Sequence, residues 1–260
     1  MNRHIKRTAE VLLPQRIFVT IQSIRSRNYQ KQLLRKWGVH ESTAEVEAHY
    51  GHTILDGPFR GMKYPIGSLL SRHGIPIIFG TYELELHQII EEVVSKHYEK
   101  IIDIGCAEGY YAVGLALRTD VEVYAFDCEP RERCYCRQMA RENNVAVRVH
   151  VKSWCSEDTL KRLAVGRCLI VSDCEGFEAS LFSSSLVAAL KNSDLIIELH
   201  QIDGINVRDV LMERFKPSHN ARLITFDAAR TGSAVPTKWR KFAREFRSPN
   251  QQWVYFTPRS

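Results

Sequence analysis

Lys100-Ile-Ile-Asp-Ile104-Gly-Cys-Ala-Glu-Gly109-Tyr-Tyr-Ala-Val-Gly-Leu-Ala-Leu117 is the stretch whose reading decides the fold. A short apolar run ends at Ile104, a turn of small residues follows, and an apolar helix-like segment begins near Gly109. A strand, a glycine-containing turn and a helix in that order are the first half of a strand–helix–strand unit. Working outward, the pattern repeats. Strands are expected at Lys100–Ile104, Val121–Phe126, Ala146–Val151, Cys168–Ser172, Leu195–Leu199, Leu223–Phe226 and Trp253–Phe256. Helices are expected near 109–118, 130–143, 157–164, 178–190 and 206–215. Alternation of short apolar strands with helices predicts an α/β fold, with a mostly parallel sheet covered on both faces.

Upstream, Leu86, Ile89, Ile90, Val93 and Val94 form one helical stripe. Residues 52–66 have hairpin character, with Gly and Pro punctuating short apolar runs. Residues 10–37 read as a basic helix that Gly38 ends. The chain is therefore divided into an N-terminal extension of basic helices and a hairpin, 1–75, and a main domain, 76–260. A basic helix-like stretch is expected near Trp239–Phe246.

Composition narrows the function classes. The 260 residues are 44% hydrophobic and 25% charged, an ordinary globular balance. No apolar run reaches the ~18 residues that span a bilayer. Seven cysteines without paired C-x-x-C spacing point to reduced thiols in a cytoplasmic protein, not a zinc module. The net charge of +6 is uneven: residues 1–45 hold nine Lys/Arg against three Asp/Glu, and residues 236–260 hold six against one. Basic ends suit solvated faces, phosphate or an anionic membrane, so the N-terminal helix is a candidate for peripheral membrane or protein contact.

The turn after the first strand argues for a particular ligand. A dinucleotide site wants G-x-G-x-x-G, but here the small residues are Gly105, Ala107 and Gly109. Asp103, just before the turn, is awkward for a pyrophosphate. It suits the sulfonium and ammonium groups of S-adenosylmethionine. The second strand ends at Asp127, where an acid binds ribose hydroxyls in such folds. Ser153 and Trp154, after the third strand, are placed to contact the adenine. Strand four runs into Asp173-Cys-Glu175-Gly-Phe-Glu178, three acids in six residues. Glu178 falls at a helix start, where a carboxylate is favoured in any case. In the fifth strand Glu198 and His200 share a face by period two. His200 sits where a general base is needed. Asp173, Glu175, Glu198 and His200 offer oxygen and nitrogen ligands to a divalent metal, though no spacing requires one.

Asp-Ile-Gly-Cys-Ala-Glu-Gly-Tyr-Tyr (103–111), Ala-Phe-Asp (125–127), Asp-Cys-Glu-Gly-Phe-Glu (173–178), Glu-Leu-His (198–200) and Gly80-Thr-Tyr-Glu83 resemble the FkbM-type class I methyltransferases. The resemblance covers roughly 80–258. It implies a seven-stranded Rossmann-like sheet with an antiparallel final strand, and O-methylation of a hydroxyl on a sugar, glycan, glycolipid or natural product. It implies cofactor binding at Asp103, Gly105, Glu108, Gly109 and Asp127, and catalytic roles at Asp173, Glu175 and His200; Tyr110, Glu129, Ser153 and Asp173 complete the expected cofactor contacts. In that reading Asp173 and His200 position and deprotonate the acceptor. Two departures stand out. Ala107 occupies a position where the family commonly has Asn. The family's ribose acid is Glu followed by Pro, whereas here the order is Asp127-Cys-Glu129-Pro130, so either acid can be the ribose ligand. The absence of an N-P-P-Y type motif after strand four disfavours base or amide nitrogen as acceptor. An RNA methyltransferase using the basic termini, and a non-catalytic S-adenosylmethionine-binding protein, are the alternatives.

Overall fold

The computed structural model describes residues 38–69, 73–200, 206–227, 235–242, 245 and 247–259. The expected basic helix over 10–37 lies outside these residues. Among them, seven strands form one sheet: β1 Lys100–Ile104, β2 Glu122–Phe126, β3 Val149–Lys152, β4 Cys168–Ser172, β5 Asp194–Leu199, β6 His219–Thr225 and β7 Gln252–Pro258. Their spatial order is β3-β2-β1-β4-β5-β7-β6. β1 to β5 run parallel, and β7 is antiparallel to both β5 and β6. The strand order reverses beside β1, between β1 and β4. This is the Rossmann-like sheet with an antiparallel last strand that the sequence leads one to expect, and ligands in such sheets bind where the order reverses.

The helices are α1 Val39–Tyr50, α2 Gly74–Ile78, α3 His87–Val94, α4 Tyr110–Arg118, α5 Pro130–Glu142, α6 Glu157–Leu163, α7 Glu178–Leu181, α8 Ser184–Ala189 and α9 Val207–Phe215. Alternate strand residues divide the core into two layers. Ile101, Val123, Ala125, Val171, Ile196 and Trp253 face one side with α3, α4 and α5. Ile102, Phe126, Ile170, Ile197 and Val254 face the other, with α6, α8 and α9. Val39, Ile54, Phe59, Met62 and Ile75 belong to the first layer, so the described residues of 39–69 and 73–78 pack into the same core as the sheet.

Several local details differ from the sequence reading. Gly38, in the left-handed region at φ 68°, precedes α1; the helix that it is expected to end lies outside the described residues. α1 buries only Val39, Thr43 and Val46, a stripe too sparse to read from periodicity. β3 begins three residues late. Val145 and Arg148 close a turn (3.0 Å), and Val147 is 82% exposed, so the alternating valines mimic a strand. The helix over 178–190 breaks at Phe182, and Ser183 caps the second piece by accepting from Leu186 N–H at 3.2 Å. β6 starts four residues before expected because it is an edge strand. Asn220, Ala221, Arg222 and Leu223 are exposed and carry no apolar alternation. Over 52–66 the chain pairs Thr53 with Lys63, in keeping with hairpin character.

Candidate active site

The carboxyl ends of β1, β2 and β4 are stitched together by backbone. Gly105 and Cys106 N–H both donate to Phe126 O (2.8 and 2.9 Å), and Asp173 N–H donates to Ile104 O (2.8 Å). Gly105 adopts φ +85°, and a Cβ there would stand 1.7 Å from Asp173 O. Gly109 adopts φ +101°, and its Cβ would meet Cys136 Sγ at 2.8 Å. The sequence reading assigned these small residues to close approach of a ligand. In the structure, the approach that demands glycine is between the loop and its own neighbours, the β4 turn and α5. Ala107 is left-handed at φ 45°, a conformation that Asn takes more readily than Ala.

Asp103 lies beneath this loop, on the sheet face of Ile101. It is 2% exposed, and its Oδ2 is buried without a hydrogen-bond partner among the described residues. Burial pushes its carboxyl up to about 7, partly opposed by a hydrogen bond from Ala112 N–H in the first turn of α4. The positive end of the helix is therefore already met by a carboxylate. A phosphate there would face negative charge, whereas a cation would find a stranded lone pair.

Asp127 is committed to holding the loop. Its Oδ2 accepts Ala107 N–H (2.9 Å) and its Oδ1 accepts Glu129 N–H (2.7 Å). Glu129 precedes Pro130 at the start of α5 and makes no side-chain cap. Glu108 is half-buried on the loop and Ser153 is exposed after β3. Trp154 lies 5.3 Å from the Phe177 ring, between centroids. The Tyr110 ring packs edge-on against Phe59 (5.0 Å) and Tyr82 (4.9 Å) in the core, with its backbone at the start of α4 beside the loop.

The strand-four acids and His200 do converge. His200 Nδ1 bonds Glu178 Oε1 at 2.8 Å. Its Nε2 stands 3.5 Å from Asp173 Oδ1, 3.8 Å from Glu175 Oε2 and 3.9 Å from Glu198 Oε1. Glu178 is fully buried. Its Oε1 also lies 3.2 Å from Cys174 N–H and 3.3 Å from Gly176 N–H, so it fixes the turn and the imidazole together. Burial disfavours a charged His200, but the Glu178 hydrogen bond and the charges of Asp173, Glu178 and Glu198 outweigh it and push the imidazole up to about 10. Burial, with Glu198 and Glu175 nearby, raises Asp173 well above the usual range against the opposing field of His200. In the field of these carboxylates the imidazole holds a proton more tightly than a free histidine does.

A second cluster, largely hidden from sequence reasoning, adjoins this one. Arg247, before β7, is almost fully buried. Its Nε donates to Glu245 Oε2 (2.7 Å) and its Nη1 to Glu198 Oε1 (3.0 Å), and Nη2 pairs with Glu83. Tyr82 and Trp253 rings flank its guanidinium at 5.3 and 5.2 Å. Tyr111 O–H donates to Glu83, and Glu83 N–H donates to Glu245 Oε1 at 2.8 Å. Glu83 is foreshadowed by Gly80-Thr-Tyr-Glu83, but nothing in the spacing announces Arg247 or Glu245. This basic tail is thus partly spent on the protein's own acids: Arg247 is buried among three, and Lys238 pairs with Glu45 at the surface. Of the expected helix near 239–246, the described residues show a 3-10 turn, Arg240–Phe242, with Phe242 buried. Among the described residues, five non-glycine residues have positive φ: Glu83, Ala107, Asn144, Glu175 and Glu245. Asn144 tolerates it, and the other four all belong to the segments around this site, where strained backbone tends to gather.

No protein-family model matches the chain, and no curated protein matches it. Solved structures do. The bifunctional kinase-methyltransferase WbdD is 16% identical with a TM-score of 0.43, and the match covers 67% of this chain and 37% of WbdD. A geranyl diphosphate methyltransferase, solved with GPP and sinefungin, is 15% identical at TM-score 0.46, covering 89% and 98%. The human methyltransferase 10 domain containing protein is 14% identical at TM-score 0.47, covering 85% and 96%. The chain spans well under half of WbdD's length. Likeness this distant lends no weight to function, and the chemistry of the site has to carry it. No helix among the described residues is long and apolar enough to cross a membrane.

Proposed function

We propose that the chain is an S-adenosylmethionine-dependent O-methyltransferase of the FkbM type. The observation that carries this reading is Asp103, a buried carboxylate with one unpaired oxygen at the strand-order reversal. It asks for a cation where a dinucleotide enzyme would bind phosphate. S-adenosylmethionine, when bound, supplies a methyl group on a positively charged sulfur. Asp103 holds its cationic amino-acid end, and the 105–109 loop, clamped by Asp127, lines its path. Glu129 binds the ribose hydroxyls, since both Asp127 oxygens already accept backbone N–H groups. Ser153 and Trp154 border the adenine.

The acceptor is a hydroxyl of a sugar, glycan or natural product. Its oxygen forms the new O–C bond as the C–S bond breaks, and its proton passes to the Asp173 carboxylate, which stands at the end of β4 beside the cofactor loop. His200, pinned by Glu178, orients Asp173 and Glu175 at the reacting end. Methyl transfer is an in-line displacement, so this fixed geometry is where the rate comes from.

Transfer of labelled methyl from S-adenosylmethionine to a fractionated extract, with identification of the product, tests the reading. A labelled methyl ether is expected, and Asp173→Asn abolishes its formation while cofactor affinity is retained. Failure of the wild-type protein to bind S-adenosylmethionine would overturn the proposal.

A further inference from the structure

We infer that Asp173, Glu175 and His200 form a divalent-cation site of the Mg²⁺/Mn²⁺ class, distinct from the cofactor contacts. Three elements supply the ligands: the end of β4, the following turn, and the end of β5. One ligand atom from each lies within 4.8 Å of the others.

The spacing is wrong for hydrogen bonds and right for a shared ion. The Nε2 separations of 3.5 and 3.8 Å exceed the range of a bond to a carboxylate. Two ligands each about 2.1 Å from one cation stand about 3.0 Å apart when adjacent and about 4.2 Å apart when opposite. Closing this set onto one ion asks only a small adjustment, and Glu175, 77% exposed, is free to make it.

Two further features point to an ion independently of the spacing. The Asp173 side chain is 39% exposed, yet its Oδ1, the atom facing His200, is shielded from solvent and accepts no hydrogen bond among the described residues, an acceptor that a bound cation satisfies. His200 presents only Nε2, because Nδ1 is held by the fully buried Glu178 at 2.8 Å. A carboxylate behind a ligating histidine fixes its tautomer and strengthens it as a donor. Glu198, although 3.9 Å from Nε2, is engaged by Arg247 and is not counted among the ligands. Two carboxylates and one imidazole leave positions for water or an acceptor hydroxyl, and mainly oxygen ligation selects the harder divalent ions.

The site stands on these contacts whether or not the methyl-transfer reading holds, and its test uses neither cofactor nor acceptor. The full chain is titrated with Mn²⁺ while the free-ion paramagnetic resonance signal is followed. One equivalent is expected to bind with a dissociation constant below about 1 mM. Glu175→Gln, at an exposed side chain that leaves the fold intact, removes that binding. Glu178→Gln weakens it about ten- to a hundredfold without touching the ion. Absence of binding to the wild-type chain overturns the inference. So does binding that survives both Glu175→Gln and His200→Ala, since the ion would then sit elsewhere.

Discussion

Replacing Asp103 by asparagine separates what this residue costs the empty protein from what it gives the cofactor. Its carboxyl is pushed from 3.8 to about 7 by burial, about three pH units, or about 4 kcal/mol against ionisation. The folded value lies above the unfolded one, so folding takes up a proton between about pH 4 and pH 7. Stability of the ligand-free protein therefore falls by up to about 4 kcal/mol as pH rises through that window, then levels off. Asparagine keeps an acceptor for Ala112 N–H and carries no charge. Asp103→Asn is expected to withstand more urea than the wild type at pH 8, by about 2–4 kcal/mol, with the gap closing near pH 4. S-adenosylmethionine affinity moves the other way. Losing one partner of a buried charge pair costs about 3 kcal/mol or more, so binding weakens roughly a hundredfold or beyond. In the wild type, affinity should also fall as pH drops below about 7, up to tenfold per unit, because only ionised Asp103 attracts the cation. Calorimetric titration and urea unfolding at pH 4, 6 and 8 measure both. Unchanged cofactor affinity in Asp103→Asn would refute the cofactor assignment. A variant less stable than the wild type at pH 8 would refute the account of a stranded charge.

Three other outcomes follow from the same contacts. Glu129→Gln should weaken S-adenosylmethionine binding about tenfold, the worth of one charged hydrogen bond; Asp127→Ala should lower the melting temperature, because it frees the N–H groups of Ala107 and Glu129. Arg247→Met strands Glu83, Glu198 and Glu245 and should cost about 3–5 kcal/mol. Burial already raises Glu83, and raises Glu245 to about 7. The loss should therefore shrink toward pH 5, where protonation relieves it, and a melting temperature independent of pH would contradict the cluster's role. Gly105→Ala should cost more than about 3 kcal/mol in urea unfolding, because its methyl would meet the Asp173 carbonyl at 1.7 Å and no side chain can yield.

Much of the architecture could be read from the chain alone, for a physical reason. β1 and β4 were placed to the residue, since strands buried on both faces are continuous apolar runs bounded by turn residues. The glycine turn after β1 and the acids at strand ends are likewise local, because a strand end and its loop are neighbours in sequence. Where burial is one-sided or the element lies at an edge, the signal fades, as for α1, β3 and β6. The site divides along the same line. Asp103, Asp127, Asp173 and His200 could be named from their places at strand ends. Their chemistry could not, since it depends on groups far apart in the chain. Glu178 takes His200 Nδ1 across 22 residues, and Arg247 reaches Glu83 across 164. Only the folded sheet decides that Asp127 is a clamp, that Tyr110 is core, and that His200 lies among four carboxylates. Proton affinity and metal affinity are set by burial and by neighbouring charge, and both are properties of the tertiary structure.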